Sequence, residues 1–158
     1  MSKPETVGPV EEAVGYVLKQ AAVALRNAMD AALRPLHLTV PQYACLELLG
    51  QRPGLSNAEL ARGAFVTRQS MNVVLRGLEE RGLVTRPETA PRGRELPTAL
   101  TESGREHLHA ASAAVRNIEK QMCTGLAHPQ QRELLNGLTA CVRNLADSPE
   151  RGGEGTTS

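Results

Sequence analysis

Three helix-start signals follow one another in the middle of the chain and divide it into short helices. Thr39 is followed three residues later by Gln42, and Ser56 by Glu59, which is the spacing of a capping box. Thr67 is a third residue of the type that caps a helix. Because each helix has to end before the next cap, the sequence predicts three short helices joined by tight turns.

Longer helices are predicted on both sides of this segment. Apolar residues recur at three- and four-residue steps from Val14 to Leu33, and Pro35 ends the pattern. Thr101 is a further N-cap, and a last apolar helix ends near Leu145. In the helix after Thr101, apolar residues follow the 3-4-3-4 spacing of a helix that packs along another helix: Leu108, Ala111, Val115, Ile118 and Met122.

A short hairpin is predicted between the third short helix and the helix after residue 101. Residues 83–86 form its first strand and residues 96–100 its second. Pro97 cannot donate a hydrogen bond to a ladder, so the second strand should lie at an edge. The loop between the strands carries Arg92 and Arg94.

This order of elements predicts a mainly α fold: a winged helix-turn-helix with a two-stranded wing and N- and C-terminal dimerisation helices. An aromatic content of 2% fits an aliphatic, helical core. Five segments are expected: a flexible arm (1–9), a dimerisation helix (10–36), the DNA-binding domain (37–100), dimerisation helices (101–146) and a disordered tail (147–158).

The helix after Thr67 has one apolar face, and its polar face is predicted to read DNA. In a major groove, arginine pairs with guanine, and glutamine or asparagine with adenine. Residues in the first turns of a recognition helix make most of the base contacts, so Arg68, Gln69 and Asn72 are predicted to contact bases. Arg76, further along, is expected to meet phosphate. The predicted helix contacts are Thr67, Arg68, Gln69, Ser70, Asn72 and Arg76.

Several stretches resemble the MarR family, the multiple antibiotic resistance regulators. They comprise residues 38–43, 54–61, 66–70, 78–84 and 100–105. The resemblance extends over nearly all of the chain that is expected to fold. It implies a triangular homodimer whose first helix and last two helices form the interface, and it implies repression more often than activation.

The wing departs from the family pattern. Arg92 and Arg94 are predicted to enter the minor groove, whose negative potential attracts guanidinium groups. The resemblance places Arg94 on the family's wing arginine, and Arg92 where the family has an aspartate that orients it. We therefore expect a wing with stronger and less selective attraction to phosphate.

A regulator of this kind is expected to bind a palindromic operator in double-stranded DNA as a homodimer and to release it when an effector binds. The effector can be a small molecule, an oxidant or a metal, and the sequence does not choose between them. The resemblance places a small-molecule pocket near four residues: Tyr16, Arg26, His37 and Tyr43.

Thiol and metal signals have their own candidates. Cys45 is the candidate redox residue, although its apolar neighbours favour burial, and buried cysteines are mostly inert. Glu106 and His109, spaced i and i+3, could hold a regulatory metal such as zinc, with His107, His37 and Cys45 as possible further ligands. No cofactor is otherwise expected.

Other functional classes find less support. A net charge of +1 argues against a non-specific architectural DNA binder. A phosphate-binding glycine loop, a nucleophile elbow and an HExxH motif are all missing from the sequence, so no enzyme is predicted. Without a membrane-length apolar run, and with three cysteines outside any CxxC pair, a cytoplasmic protein with no membrane partner is expected. A winged-helix module that binds proteins instead of DNA stays an alternative.

Overall fold

The computed structural model describes residues 8–86 and 98–146, which contain six α-helices and one two-stranded sheet. The helices are α1 (Val14–Leu33), α2 (Val40–Gln51), α3 (Asn57–Gly63), α4 (Arg68–Glu80), α5 (Glu102–Met122) and α6 (His128–Ala146). Strands β1 (Val84–Thr85) and β2 (Ala99–Leu100) pair antiparallel. Single 3-10 turns at Val10–Glu12 and Arg34–Leu36 flank α1. The predicted fold class, mainly α with one small sheet, is confirmed.

The predicted caps are present and fix where the short helices begin. Thr39 and Gln42 exchange hydrogen bonds of 3.0 and 3.2 Å at the start of α2. Ser56 and Glu59 do the same at the start of α3, at 2.8 and 3.2 Å. The Thr67 hydroxyl accepts a 3.0 Å hydrogen bond from the backbone of α4. Each cap stabilises its helix by about 1 kcal/mol.

The chain forms two compact units, divided between Met122 and Cys123. The first unit contains α1 to α5 and the sheet, and its core is aliphatic, as expected from the composition. Its largest fully buried side chains include Leu33, Leu46, Leu60, Met71, Leu75, Leu78 and Leu83. In the second unit, α6 contains no buried residue. Over the described residues, no helix combines the length and hydropathy needed to cross a bilayer.

The start of α5 is joined closely to the segment that follows α4. The Thr101 amide donates to the Leu83 carbonyl at 3.1 Å, and the Thr101 hydroxyl donates to the Gly82 carbonyl at 2.6 Å. Gly104 allows this approach, because a Cβ at that position would lie 2.0 Å from the Leu83 carbonyl oxygen. These bonds fix the start of α5 against the two residues that follow the end of α4.

The strands are shorter than the sequence predicted. Among residues 8–86 and 98–146, the ladder consists of Val84–Thr85 and Ala99–Leu100. The prediction of a strand over residues 83–86 is therefore wrong at both ends, and Thr98 of the predicted second strand lies outside the ladder. Leu83 is 1% exposed and its carbonyl bonds to the start of α5, so this residue closes the core instead of extending the sheet.

Three segments lie outside the described residues: 1–7, 87–97 and 147–158. They include the wing arginines Arg92 and Arg94, Pro97, and most of the predicted arm and tail. The expectations for these residues stay predictions.

Candidate nucleic-acid interface and effector cavity

The polar face of α4 lies opposite its buried face. Met71, Leu75 and Leu78 are at most 1% exposed and pack into the core. The six residues predicted to contact DNA are all exposed, as a DNA-reading face requires. The structure therefore leaves all six side chains accessible: Thr67, Arg68, Gln69 and Ser70 at the start of α4, and Asn72 and Arg76 further along it.

One of these residues is already engaged by α3. The Asn57 side-chain amide donates to the Asn72 carbonyl oxygen. This bond joins the exposed side of α4 to α3, and it leaves the amide donors and one lone pair of the carbonyl oxygen of Asn72 available. Asn57 was missed by the sequence reasoning, because the contact joins residues 15 positions apart. Asn57 thus joins α3 to the exposed side of α4.

Two apolar side chains on or beside this surface were also missed. Val73 is 64% exposed on α4, and Phe65 is 94% exposed in the turn between α3 and α4. The Phe65 backbone is left-handed, with φ of 58°. Helical counting could have found Val73, because it lies four residues after Gln69. Nothing local in the sequence indicates the conformation of Phe65.

A cavity of about 350 Å³ lies between α2, β2 and α5. Leu100 and Leu108 supply apolar wall, while Arg105, His109 and Arg116 supply donors from α5. A carboxylate, Glu47, also faces the cavity. Arg105 lies 3.8 Å from Glu102, but both side chains are well exposed, so this ion pair is weak and can exchange for another anion.

Tyr43 lies beside this cavity. The Ser112 hydroxyl donates to Glu47 at 2.7 Å, and the Tyr43 phenol also bonds to Ser112. Burial, and next the negative charge of Glu47, raise the pKa of Tyr43 above its ordinary value. The phenol therefore stays protonated at neutral pH, and it is already engaged with the Ser112 side chain.

The other predicted pocket residues lie elsewhere. Tyr16 and Arg26 are exposed on α1. His37 adopts a left-handed backbone, with φ of 55°, and its carbonyl accepts a 2.6 Å hydrogen bond from Arg81. None of these three lines the cavity between α2 and α5. A pocket that joins them to Tyr43 stays a prediction.

The thiol and metal candidates have different environments. Cys45 is fully buried, and this burial raises the pKa of its thiol to about 12, so the reactive thiolate is rare. Glu106 and His109 are exposed on α5, and His109 lines the cavity. In residues 8–86 and 98–146, no three His, Cys, Asp or Glu side chains cluster tightly enough to hold a metal.

Comparison with known proteins identifies the family. The sequence profile of the MarR family matches residues 37–95. The transcriptional repressor Rv2887 of Mycobacterium tuberculosis is 49% identical over 120 residues, which are 76% of this chain and 86% of that protein. The chain belongs to the MarR family. The resemblance seen in the sequence motifs is thereby confirmed.

Solved structures of MarR proteins share this fold. The complex of Rv2887 with salicylic acid superposes with a TM-score of 0.68 at 47% identity, over 81% of this chain and 95% of that one. Its complex with DNA gives 0.68 at 45% identity, over 81% and 96%. A MarR regulator from Silicibacter pomeroyi gives 0.77 at 21% identity, over 90% and 95%. The winged helix-turn-helix architecture is therefore confirmed.

Proposed function

We propose that this MarR protein is a cytoplasmic transcriptional repressor, not an enzyme, that binds a palindromic operator as a homodimer and releases it when an effector binds. The observation that carries the proposal is the outward face of α4, where Arg68, Gln69 and Arg76 are exposed opposite the core. Such a face fits a major groove. The related repressor Rv2887 has been crystallised with DNA, which supports the same role here.

Exposed apolar side chains support the homodimer. On α1, Val14 is 73% exposed and Val23 is 60% exposed. On α6, Val142 and Leu145 are 68% and 79% exposed. A second copy that covers these faces would remove them from water and would space two α4 helices about 34 Å apart, one turn of DNA. A twofold dimer then reads an inverted repeat.

The effector is proposed to be a small aromatic carboxylate. Rv2887 has been crystallised with salicylic acid and with p-aminosalicylic acid. In this chain, the cavity between α2 and α5 offers Arg105 and Arg116 for a carboxylate and Leu108 for a ring. The protonated Tyr43 phenol lies beside it.

Release follows if the effector favours one position of α5. The cavity is lined by α5, and the start of α5 is bonded to the Gly82 and Leu83 carbonyls at the end of α4. A ligand that prefers one arrangement of α5 therefore shifts the population of recognition-helix positions.

DNA binding is tested by selecting genomic fragments with the full-length protein at physiological salt. We expect an enriched inverted repeat. Arg68→Ala should abolish the enrichment, and the matched control Arg132→Ala, an exposed arginine on α6, should not. Enrichment without a motif would show non-specific binding. No retention even at low salt would favour the protein-interaction module.

Effector binding is tested by titrating salicylate into the complex with the selected operator, followed by fluorescence anisotropy. We expect release in the wild-type protein. Arg116→Ala should raise the salicylate concentration needed for release about tenfold or more, because a charge-assisted hydrogen bond is lost. Arg132→Ala serves as the control. An unchanged midpoint in Arg116→Ala and in Arg105→Ala would place the effector elsewhere.

Thiol- and metal-based release are the alternatives. The same assay with peroxide or zinc in place of salicylate separates them. If peroxide releases the DNA from the wild-type protein but not from Cys45→Ser, the thiol sensor is favoured, although the burial of this thiol argues against it. If zinc releases the DNA from the wild-type protein but not from His109→Ala, a regulatory metal held by His109 and Glu106 is favoured. Without either effect, the repressor needs no cofactor.

A further inference from the structure

Val73 lies at the centre of the outward face of α4. Successive residues of an α-helix are rotated by about 100°. Val73 is therefore one turn beyond Gln69 and three residues before Arg76, on the same side of the helix. Its side chain is 64% exposed, whereas Met71 and Leu75 on the opposite side are at most 1% exposed.

Neither packing nor helix propensity explains a valine at this position. The side chain adds little to the core, and valine is a poorer helix former than alanine, lysine or glutamine. Single exposed apolar residues are common on protein surfaces. What distinguishes Val73 is its place between Gln69 and Arg76, in the middle of the face that is proposed to read DNA.

The major groove presents one prominent apolar group, the 5-methyl of thymine. We propose that Val73 is a specificity-determining residue that packs against the 5-methyl group of one thymine in each half-site of the operator. This inference rests on the proposed function, because it requires α4 to lie in the major groove. Val73 and Gln69 are one turn apart, so methyl packing and hydrogen bonding read neighbouring bases.

The test removes one methyl group at a time from the DNA. The probe is the duplex recovered most strongly by the genomic selection, made with deoxyuridine in place of each thymine at symmetric positions of both half-sites. Deoxyuridine keeps the base pairing and loses only the methyl. Dissociation constants are measured for the wild-type protein, Val73→Ala and Val73→Ile.

At one symmetric pair of thymines, we expect the wild-type protein to lose about fifteenfold in affinity, which is about fourfold for each methyl group removed. Val73→Ala should bind the thymine and deoxyuridine forms with equal affinity. Val73→Ile, which keeps an apolar side chain at the site, should retain the difference. Val73 is exposed, so circular dichroism should show both variants folded.

Val10→Ala is the matched control, because Val10 is also an exposed valine, at 41%, and lies in the 3-10 turn before α1, outside α4. It should keep the wild-type ratio between the two DNA forms even if its overall affinity changes. The inference is overturned if no thymine methyl affects wild-type binding, or if the methyl effect persists in Val73→Ala. If the wild-type protein selects no duplex at all, the proposed function itself is wrong, and the two failures are distinct.

Discussion

Phe65 and Gly82 occupy the same position in two copies of one helix-ending motif. Each donates its amide to the carbonyl three residues earlier, at 3.3 Å for Phe65 and 2.9 Å for Gly82. The next amide in each case donates to the carbonyl five residues earlier, at 3.0 and 2.9 Å. This is the Schellman motif, in which a left-handed residue follows the helix. Both residues are left-handed, with φ of 58° and 71°.

Glycine adopts this conformation easily, but phenylalanine does not. We expect Phe65→Gly to raise the free energy of unfolding by about 1 kcal/mol, because the ring is 94% exposed and the left-handed strain is removed. The matched change Gly82→Ala should lower it by a similar amount. Urea unfolding measures both. A loss of stability in Phe65→Gly would mean that the ring has a stabilising contact in the folded protein.

Gly104 and Gly137 form a second matched pair, since both lie within helices. We expect Gly104→Ala to lower the free energy of unfolding by about 2 kcal/mol or more, because the new Cβ would meet the Leu83 carbonyl oxygen at 2.0 Å. A Cβ at Gly137 meets no atom within 4 Å, so Gly137→Ala should raise stability by about 0.5–1 kcal/mol. Thermal unfolding of the two variants checks this. An unchanged or higher stability in Gly104→Ala would contradict the close approach of α5 to Leu83.

Local signals explain why most of the fold could be predicted. The caps at Thr39, Ser56 and Thr67 act over three residues, and the sequence contains all the information that they need. The exposed face of α4 follows from a helical period that the apolar residues reveal. The starts of these helices and the exposed polar face of α4 could therefore be predicted without tertiary structure.

The errors and omissions have tertiary causes. Leu83 was expected in a strand, but its carbonyl bonds to Thr101, which lies beyond the whole hairpin. The engagement of Asn72 depends on Asn57 in another helix. The cavity exists only because α2 packs against α5. None of these contacts has a periodic or short-range signature in the sequence.

Cys45 should make stability depend on pH. Burial holds the pKa of the folded thiol at about 12, against 9.0 as its ordinary value. The folded state therefore binds more protons above pH 9 than the unfolded state. This contribution is complete below about pH 9 and is lost as pH rises towards 12, by up to about 1.4 kcal/mol per pH unit.

Urea unfolding between about pH 8 and pH 10.5 measures this loss. Cys45→Ala removes a buried side chain and lowers stability throughout, so the slope with pH is the quantity to compare. We expect a shallower slope in Cys45→Ala and a wild-type slope in Cys141→Ala, since Cys141 is only half-buried. Equal slopes in all three proteins would show that the Cys45 thiol ionises as easily in the folded protein as in the unfolded one.

Arg76 and Gln69 should differ in how their loss affects DNA binding, because one is expected at phosphate and the other at bases. Arg76→Ala should lower the affinity for the operator and for an unrelated duplex by the same factor. It should also reduce the slope of log K against log salt concentration by about 0.9 per subunit. Gln69→Ala should lower the affinity for the operator alone and leave the salt slope unchanged. Arg132→Ala, as the control, should change neither quantity. Loss of operator affinity in Arg76→Ala without a change in slope would instead assign Arg76 to a base, since neutralised phosphates always appear in the salt dependence.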